Sequence, residues 1–313
     1  MSAGRPVELL AMGEAMVEFT APGVAEAGQR FLMGFGGDTS NAAIAAARQG
    51  AAAGYLSAVG EDLFGEALLA LWRREDVDTA TVKRDPAAPT GIYFVTHGPA
   101  GHAFTYYRAG SAASRLGPAE VDAAAIAAAK VLHVSAVSQA ISASAEAAVA
   151  RAIGCAKASG VKVSYDTNLR LKLWPLERAR ACIHGTIARA DIALPSLEDA
   201  QQLTGREEAD AIVDFYLGLG SPLVALKLGS AGCIVAAGGK RRRIPGHAVQ
   251  AVDATGAGDV FAGAFLARLI AGAEPFAAAA YANAAAALST TGYGAVAPIP
   301  RRAEVERLLA ASA

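Results

Sequence analysis

Apolar positions along the chain follow two rhythms. Short β-branched or apolar runs at residues 7–12, 55–59, 131–137, 162–166, 192–194, 223–228 and 233–237 read as buried strands. Between and after them, residues 41–49, 64–74, 144–159, 176–189, 258–271, 276–290 and 301–311 carry apolar residues at helical spacing. Strands separated by helices of roughly ten residues or more imply parallel crossovers, so this pattern predicts an α/β fold with a doubly wound, mostly parallel sheet flanked by helices. Four early segments break the rhythm. Residues 16–20, 29–35, 90–96 and 102–108 are short and alternate in polarity, with a Gly-Pro turn signal at 98–99 in the second pair. They predict a small β-sheet standing off the main one as a lid, its strands inserted from about 14–35 and 90–108 in a single domain spanning 1–313.

Composition narrows the picture. The chain is 53% hydrophobic and 18% charged, and much of the apolar excess is alanine. The alanine runs at 123–129 and 277–287 read as helices and not as membrane spans, because the first is too short and Tyr281 and Asn283 interrupt the second. The first six residues lack a signal-peptide core. Three widely spaced cysteines (Cys155, Cys182, Cys233) suit reduced thiols. A cytoplasmic enzyme is expected, with no membrane partner. A net charge of −1 argues against a nucleic-acid binder. The one basic run, Lys240-Arg241-Arg242-Arg243, reads as a solvated strand beside a hairpin turn. The five histidines show no metal-ligand spacing.

The segment Asp253-Ala-Thr-Gly-Ala-Gly-Asp259 carries the strongest chemical signal. Gly256, Ala257 and Gly258 leave backbone N–H groups unobstructed where a helix begins, and a helix start holds anions through its free donors and its dipole. A carboxylate there, Asp259, could take a proton from a hydroxyl while the amides stabilise a transferring phosphoryl group. Alone, the same residues would equally describe a tight turn with an N-cap. They are not alone. This heptapeptide resembles the signature of PfkB-type, ribokinase-like carbohydrate kinases, and it lacks the Gly-Lys-Ser/Thr of a Walker A loop. A second signature of that family matches Gly36-Gly37-Asp38-Thr39-Ser40-Asn41-Ala42-Ala43, followed by Gly50 and Gly60. The resemblance implies a ribokinase-like fold and an ATP- and Mg2+-dependent sugar kinase with Asp259 as base.

It also implies roles elsewhere. Gly36 and Gly37 would let backbone approach a sugar closely, with Asn41 on the same wall, unless Asn41 merely attends a turn. Lys227-Leu-Gly229-Ser230-Ala-Gly232 matches the stretch that lies along the nucleotide in the family, although a Gly-x-x-Gly hairpin by itself is a turn. Asn283 would face the adenine or be a buried, satisfied amide. Ser196-Leu-Glu-Asp199 fits a capping box. It also stands where related kinases carry Asn-x-x-Glu near magnesium, so Asp199 is a candidate for a water-mediated metal contact. Asp253 is a candidate for a monovalent cation, K+, near Gly292-Tyr293-Gly294-Ala295.

Two further segments bear on the substrate. In Tyr106-Tyr107-Arg108, Tyr106 and Arg108 point to one face of a strand, with Tyr93 on the partner strand. A phenol beside a guanidinium suits a hydroxylated carboxylate, while a cross-strand packing pair is the plainer reading. In Asp166-Thr-Asn168-Leu-Arg170-Leu-Lys172-Leu-Trp174, just past a strand, Asn168 and Arg170 should stand over the site, with Asn168 on the nucleotide side; alternatively Arg170 pairs with Asp166. Both segments resemble those of 2-keto-3-deoxygluconate kinases. The resemblance implies phosphorylation of 2-dehydro-3-deoxy-D-gluconate at its terminal hydroxyl, with Gly37, Tyr93, Tyr106, Arg108 and Arg170 holding the sugar acid. A neutral-sugar kinase of fructokinase or ribokinase type is the alternative. The lid strands further suggest a homo-oligomer, a dimer or larger.

Overall fold

The computed structural model describes residues 6–21, 30–98 and 101–311. Thirteen strands and eleven α-helices are found among them. In chain order the strands are β1 (Leu9–Met12), β2 (Met16–Thr20), β3 (Leu32–Gly36), β4 (Ala53–Gly60), β5 (Val82–Asp85), β6 (Ile92–Gly98), β7 (Gly101–Tyr107), β8 (Val131–Ser135), β9 (Lys162–Asp166), β10 (Ile192–Ala193), β11 (Leu223–Lys227), β12 (Cys233–Ala237) and β13 (Lys240–Ile244). The helices are α1 (Asp38–Arg48), α2 (Leu63–Arg74), α3 (Ala123–Ala128), α4 (Ala136–Ala140), α5 (Ala143–Ala158), α6 (Leu176–Ile187), α7 (Leu197–Thr204), α8 (Ala209–Gly218), α9 (Ala257–Ile270), α10 (Pro275–Ser289) and α11 (Arg302–Ala311).

The main sheet has the order β13-β12-β11-β10-β9-β8-β1-β4-β5. From β11 to β5 every pairing is parallel, and β12 and β13 close one edge as an antiparallel hairpin. Strands β8 and β9 are buried throughout apart from Lys162 at the start of β9, as parallel strands covered on both faces must be. The chain leaves β1 toward β4 on one side and later returns to β8 on the other. That reversal opens a crevice beyond the carboxyl ends of the strands, where open α/β sheets place ligands. Asp166 ends β9 and Lys227 ends β11 at that edge.

Alanine explains how tightly two helices meet behind the crevice. A Cβ at Gly263 of α9 would overlap the Ala42 carbonyl and stand 2.7 Å from the Ala45 Cβ. Small residues therefore let the backbones of α1 and α9 touch, and this brings their N-terminal turns together. The basic run forms the exposed edge strand β13, as the hairpin pattern predicts, with Arg241 paired to Asp210 and Asp214.

The lid is a separate four-stranded sheet in the order β3-β2-β6-β7. Its two hairpin pairs are joined by a parallel β2–β6 pairing. The expected pairs near 16–35 and 90–108 are thus one sheet; residues 22–29 and 99–100 of those ranges lie outside the described residues. Strand β5 and helix α8 are not in the sequence reading. β5 reads Val-Lys-Arg-Asp, an edge strand whose two middle residues are exposed, so it has no apolar period to display. Residues 136–137 belong to α4 and not to the preceding strand, because the Ser135 side chain accepts from the Ser138 amide and caps a helix there.

Candidate active site

Helix α9 starts at Ala257 with Gly256 as its N-cap, in the left-handed conformation at φ 75° and with no capping side chain. The amides of Gly258 and Asp259, in the first turn, have no helical carbonyl behind them. A Cβ at Gly258 would lie 3.4 Å from the Lys227 Nζ, so an ammonium stands directly beside this helix start. Lys227 is held by an ion pair to Asp166, Nζ to Oδ2 2.6 Å, between largely buried side chains. A helix N-terminus with an adjacent anchored cation can receive a phosphoryl group.

Asp259 lies in the first turn, and its Oδ2 accepts a hydrogen bond from the Asn41 Nδ2 at 2.8 Å. The α1–α9 contact makes this bond between residues far apart in sequence. The other amide atom, Asn41 Oδ1, is buried and has no hydrogen-bond partner. An unpaired acceptor beside a carboxylate is where a ligand hydroxyl would bind. Burial raises the proton affinity of Asp259, and the nearby Asp38 carboxylate adds to this, while the Asn41 bond opposes it. Asp38 is likewise raised by burial. Its Oδ1 accepts from the Thr39 amide at 2.7 Å and its Oδ2 from the Asn168 Nδ2 at 3.1 Å. Asn168 in turn donates its amide to Asp166 Oδ1 at 3.1 Å. Asp38, Asp166 and Asp259 thus form one cluster, tied together by Asn41, Asn168 and Lys227. Asp38 is a member that the sequence reading passed over as a motif residue. Beneath it, burial pushes His133 down to about 4, so this histidine stays neutral.

The lid side is built differently. Tyr93 and Tyr106 sit opposite one another in the β6–β7 register and stack at 5.5 Å. The Arg108 guanidinium lies 5.8 Å from the Tyr106 ring centre. The three predicted residues therefore share a face. The Tyr93 hydroxyl donates to Glu18, and its ring covers Gly36 so closely that a Cβ there would be 3.0 Å from Tyr93 Cζ. Gly37 has φ 133° and its Cα faces the Glu14 carbonyl, leaving 2.6 Å for a Cβ. These glycines make room for protein neighbours in the first instance. Arg108 donates its Nε to Glu14 Oε2 at 2.7 Å, so its charge is already matched. Glu14 and Glu18 were missed because acidic residues near a strand start carry no pattern. Arg170 is exposed, and its Nη1 donates to the Leu169 carbonyl at 2.8 Å. It does not pair with Asp166, which Lys227 occupies, but its charge acts on Asp38 across the crevice.

The pfkB family carbohydrate kinase profile matches residues 8–302. The chain belongs to this family. It is 36% identical over 312 residues to 2-dehydro-3-deoxygluconokinase of Thermoproteus tenax, covering 97% of this chain and 95% of that one. It is also 36% identical over 322 residues to fructokinase-1 of Oryza sativa subsp. japonica, covering 98% and 99%. An E. coli protein assigned as ribokinase II, solved with ATP and Mg2+, superposes with a TM-score of 0.90 at 26% identity, covering 97% of this chain and 99% of that one. The fold is accordingly the ribokinase-like one, with its small sheet as lid.

In this pfkB kinase several expected ligand positions are otherwise engaged. Asn283 is a buried amide that donates its Nδ2 to the carbonyls of Ile244 and Pro245 at 3.2 and 3.1 Å. Gly232 is buried in a turn where a Cβ would be 2.5 Å from the Gly246 amide, while Gly229 and Ser230 stay exposed. Asp253 accepts from the Thr255 amide and hydroxyl at 2.9 and 2.6 Å and from the Gly294 amide at 2.9 Å. Its carboxylate ties the loop before α9 to the 292–295 loop. The capping box at Ser196 does not form. The Ser196 side chain makes no cap, and Asp199 reaches across to accept from the Leu169 amide at 3.1 Å. No group of three or more His, Cys, Asp or Glu side chains is placed to hold a metal ion by itself, and no helix is long and apolar enough to cross a membrane, among the described residues.

Proposed function

We propose that the protein transfers the terminal phosphoryl group of ATP to the terminal hydroxyl of 2-dehydro-3-deoxy-D-gluconate, giving the 6-phosphate and ADP. The observation that carries the kinase chemistry is the juxtaposition of Asp259, the open start of α9 and Lys227. Asp259 takes the hydroxyl proton, and its raised proton affinity brings it closer to that task. Asn41 orients the carboxylate through Nδ2 and offers Oδ1 to a sugar hydroxyl. The amides of Gly258 and Asp259, with Lys227, receive the charge that develops on the transferring oxygens. Asn168 fixes Asp38 and Asp166 on the nucleotide side of the cleft, and Gly229 and Ser230 offer the exposed wall to the nucleotide.

Mg2+ fits this site as a companion of the phosphates. The described residues offer no closed cage, and a magnesium ion typically keeps several waters and uses one or two carboxylates. Asp199, with its Oδ1 not engaged by Leu169, is the carboxylate we assign to a water of that ion. When bound, the ion neutralises phosphate charge.

The sugar-acid substrate rests on Arg170, whose guanidinium makes no salt bridge among the described residues while its charge acts on Asp38, and on the likeness to the Thermoproteus tenax enzyme. The pairing of Arg108 with Glu14 and the equal likeness to a fructokinase favour a neutral ketose as second reading. A coupled ADP-release assay with the gluconate and galactonate epimers, fructose, ribose and adenosine decides between them. Turnover of fructose equal to that of the acid would overturn the first reading. We further propose that two copies meet through the lid, where Leu32, Met33 and Tyr107 are exposed. A monomeric mass by light scattering at working concentration would refute this.

A further inference from the structure

Every chain crossing between the main sheet and the lid meets at Glu14. Glu14 itself forms the crossing from β1 to β2. Its Oε1 accepts from the Ser111 hydroxyl at 2.6 Å and its Oε2 from the Arg108 Nε at 2.7 Å, both on the crossing that leaves β7. A Cβ on Gly91, where the chain enters β6, would stand 2.7 Å from Glu14 Oε1. A Cβ on Gly37, where the chain leaves β3, would stand 2.6 Å from the Glu14 carbonyl. The Glu14 side chain is 1% exposed and that of Arg108 12%. Arg108 Nη2 lies against the same carboxylate oxygen, and a buried pair of this kind presents almost no net charge to its surroundings.

We propose that Glu14 is a specificity-determining positioning residue: by neutralising Arg108 it sets how strongly the cleft prefers an anionic over a neutral sugar. Arg108 keeps hydrogen-bond donors for a hydroxyl or keto oxygen, which both sugar classes have. The charge that separates an acid from a ketose is left to Arg170. Glu14 is therefore a brake on the acid preference, built into the point where the lid is hinged. It acts through Arg108 and need not touch substrate. The inference rests on the sugar-kinase reading above, but its test does not require turnover.

Binding of gluconate and of fructose to the whole protein without ATP, by calorimetry, reads the effect directly. Glu14→Gln keeps the shape and an acceptor for Ser111 and releases the Arg108 charge. It should strengthen gluconate binding relative to fructose by about tenfold, and raised ionic strength should erode that gain. Parallel changes in both affinities, or no change, would overturn the inference and mark Glu14 as structural only. Should that variant fail to fold, Glu14→Gln/Arg108→Gln removes both charges together. The inference expects its gluconate-to-fructose ratio to stay within about twofold of the parent, because the net charge is unchanged. A selective loss of gluconate binding would show that the Arg108 charge is free in the parent protein and overturn the proposal. Absence of sugar-acid turnover would instead remove the substrate assignment and leave this ratio measurable.

Discussion

The two walls of the cleft are made in opposite ways. The wall on the main sheet is a cluster of carboxylates, Asp38, Asp166 and Asp259, each held by a defined donor from a strand end or helix start. The lid wall is a stack of aromatic rings, Tyr93 on Tyr106, beside a guanidinium cancelled by its neighbour. One wall concentrates charge on rigid elements, where a proton and a phosphoryl group must be handled with little reorganisation. The other offers stacked faces and neutral donors on a thin four-stranded sheet. Chemistry should therefore be lost through kcat on the first wall, and recognition through KM on the second.

The largest expected effect tests the first wall. Asp259→Asn should lower kcat by roughly 10^3-fold with sugar binding retained. It should also raise the melting temperature at neutral pH by about 2 °C, because a buried carboxylate is replaced by a neutral amide. The sign follows from the raised proton affinity of Asp259. The folded state holds that proton where the unfolded state has lost it, so the stabilising contribution is full below the unfolded value and is lost as pH rises through the folded one. Catalysis runs the other way. The acidic limb of kcat should lie above the ordinary carboxylate range, and Asp38→Asn should move it to lower pH by removing a like charge. An unmoved limb would detach Asp259 from the titration.

Next in size, Lys227→Met should cost roughly 10^2-fold in kcat, with sugar KM little changed; an effect confined to sugar KM would place the ammonium on the wrong substrate. Arg170→Ala should raise KM for the sugar acid by about tenfold, the range for a hydrogen bond to a charged group, with fructose nearly unaffected. Tyr93→Phe should raise sugar KM about fivefold by removing a hydroxyl whose proton Glu18 takes and whose oxygen is left to accept from the sugar. A collapse of kcat from this lid variant would break the contrast between the walls. Gly36→Ala should cost about 1–3 kcal/mol of stability by overpacking against Tyr93, visible as a lowered urea midpoint.

The strand-and-helix alternation was legible because buried parallel strands and long amphipathic helices have strong local periods. Strand β5 was not, being an exposed edge. Asp259 was legible because three small residues before an acid at a helix start are rare enough to name a family when a second glycine signature precedes them. The hydrogen bonds of Asn283 to the Ile244 carbonyl and of Asp253 to the Gly294 amide were not legible, because only the packed loops bring those groups together.

By itself, then, the sequence determined the order of elements, the two-sheet plan and the acid at the start of α9. These depend on spacing within a few residues. Tertiary structure alone decided which charges meet. Asn41 reaches Asp259 across 218 positions, Arg108 reaches Glu14 across 94, and Lys227 reaches Asp166 across 61. No local pattern encodes such pairings. They arise where helices α1 and α9 close on small residues, where parallel strands end side by side, and where the lid's four crossings converge on Glu14.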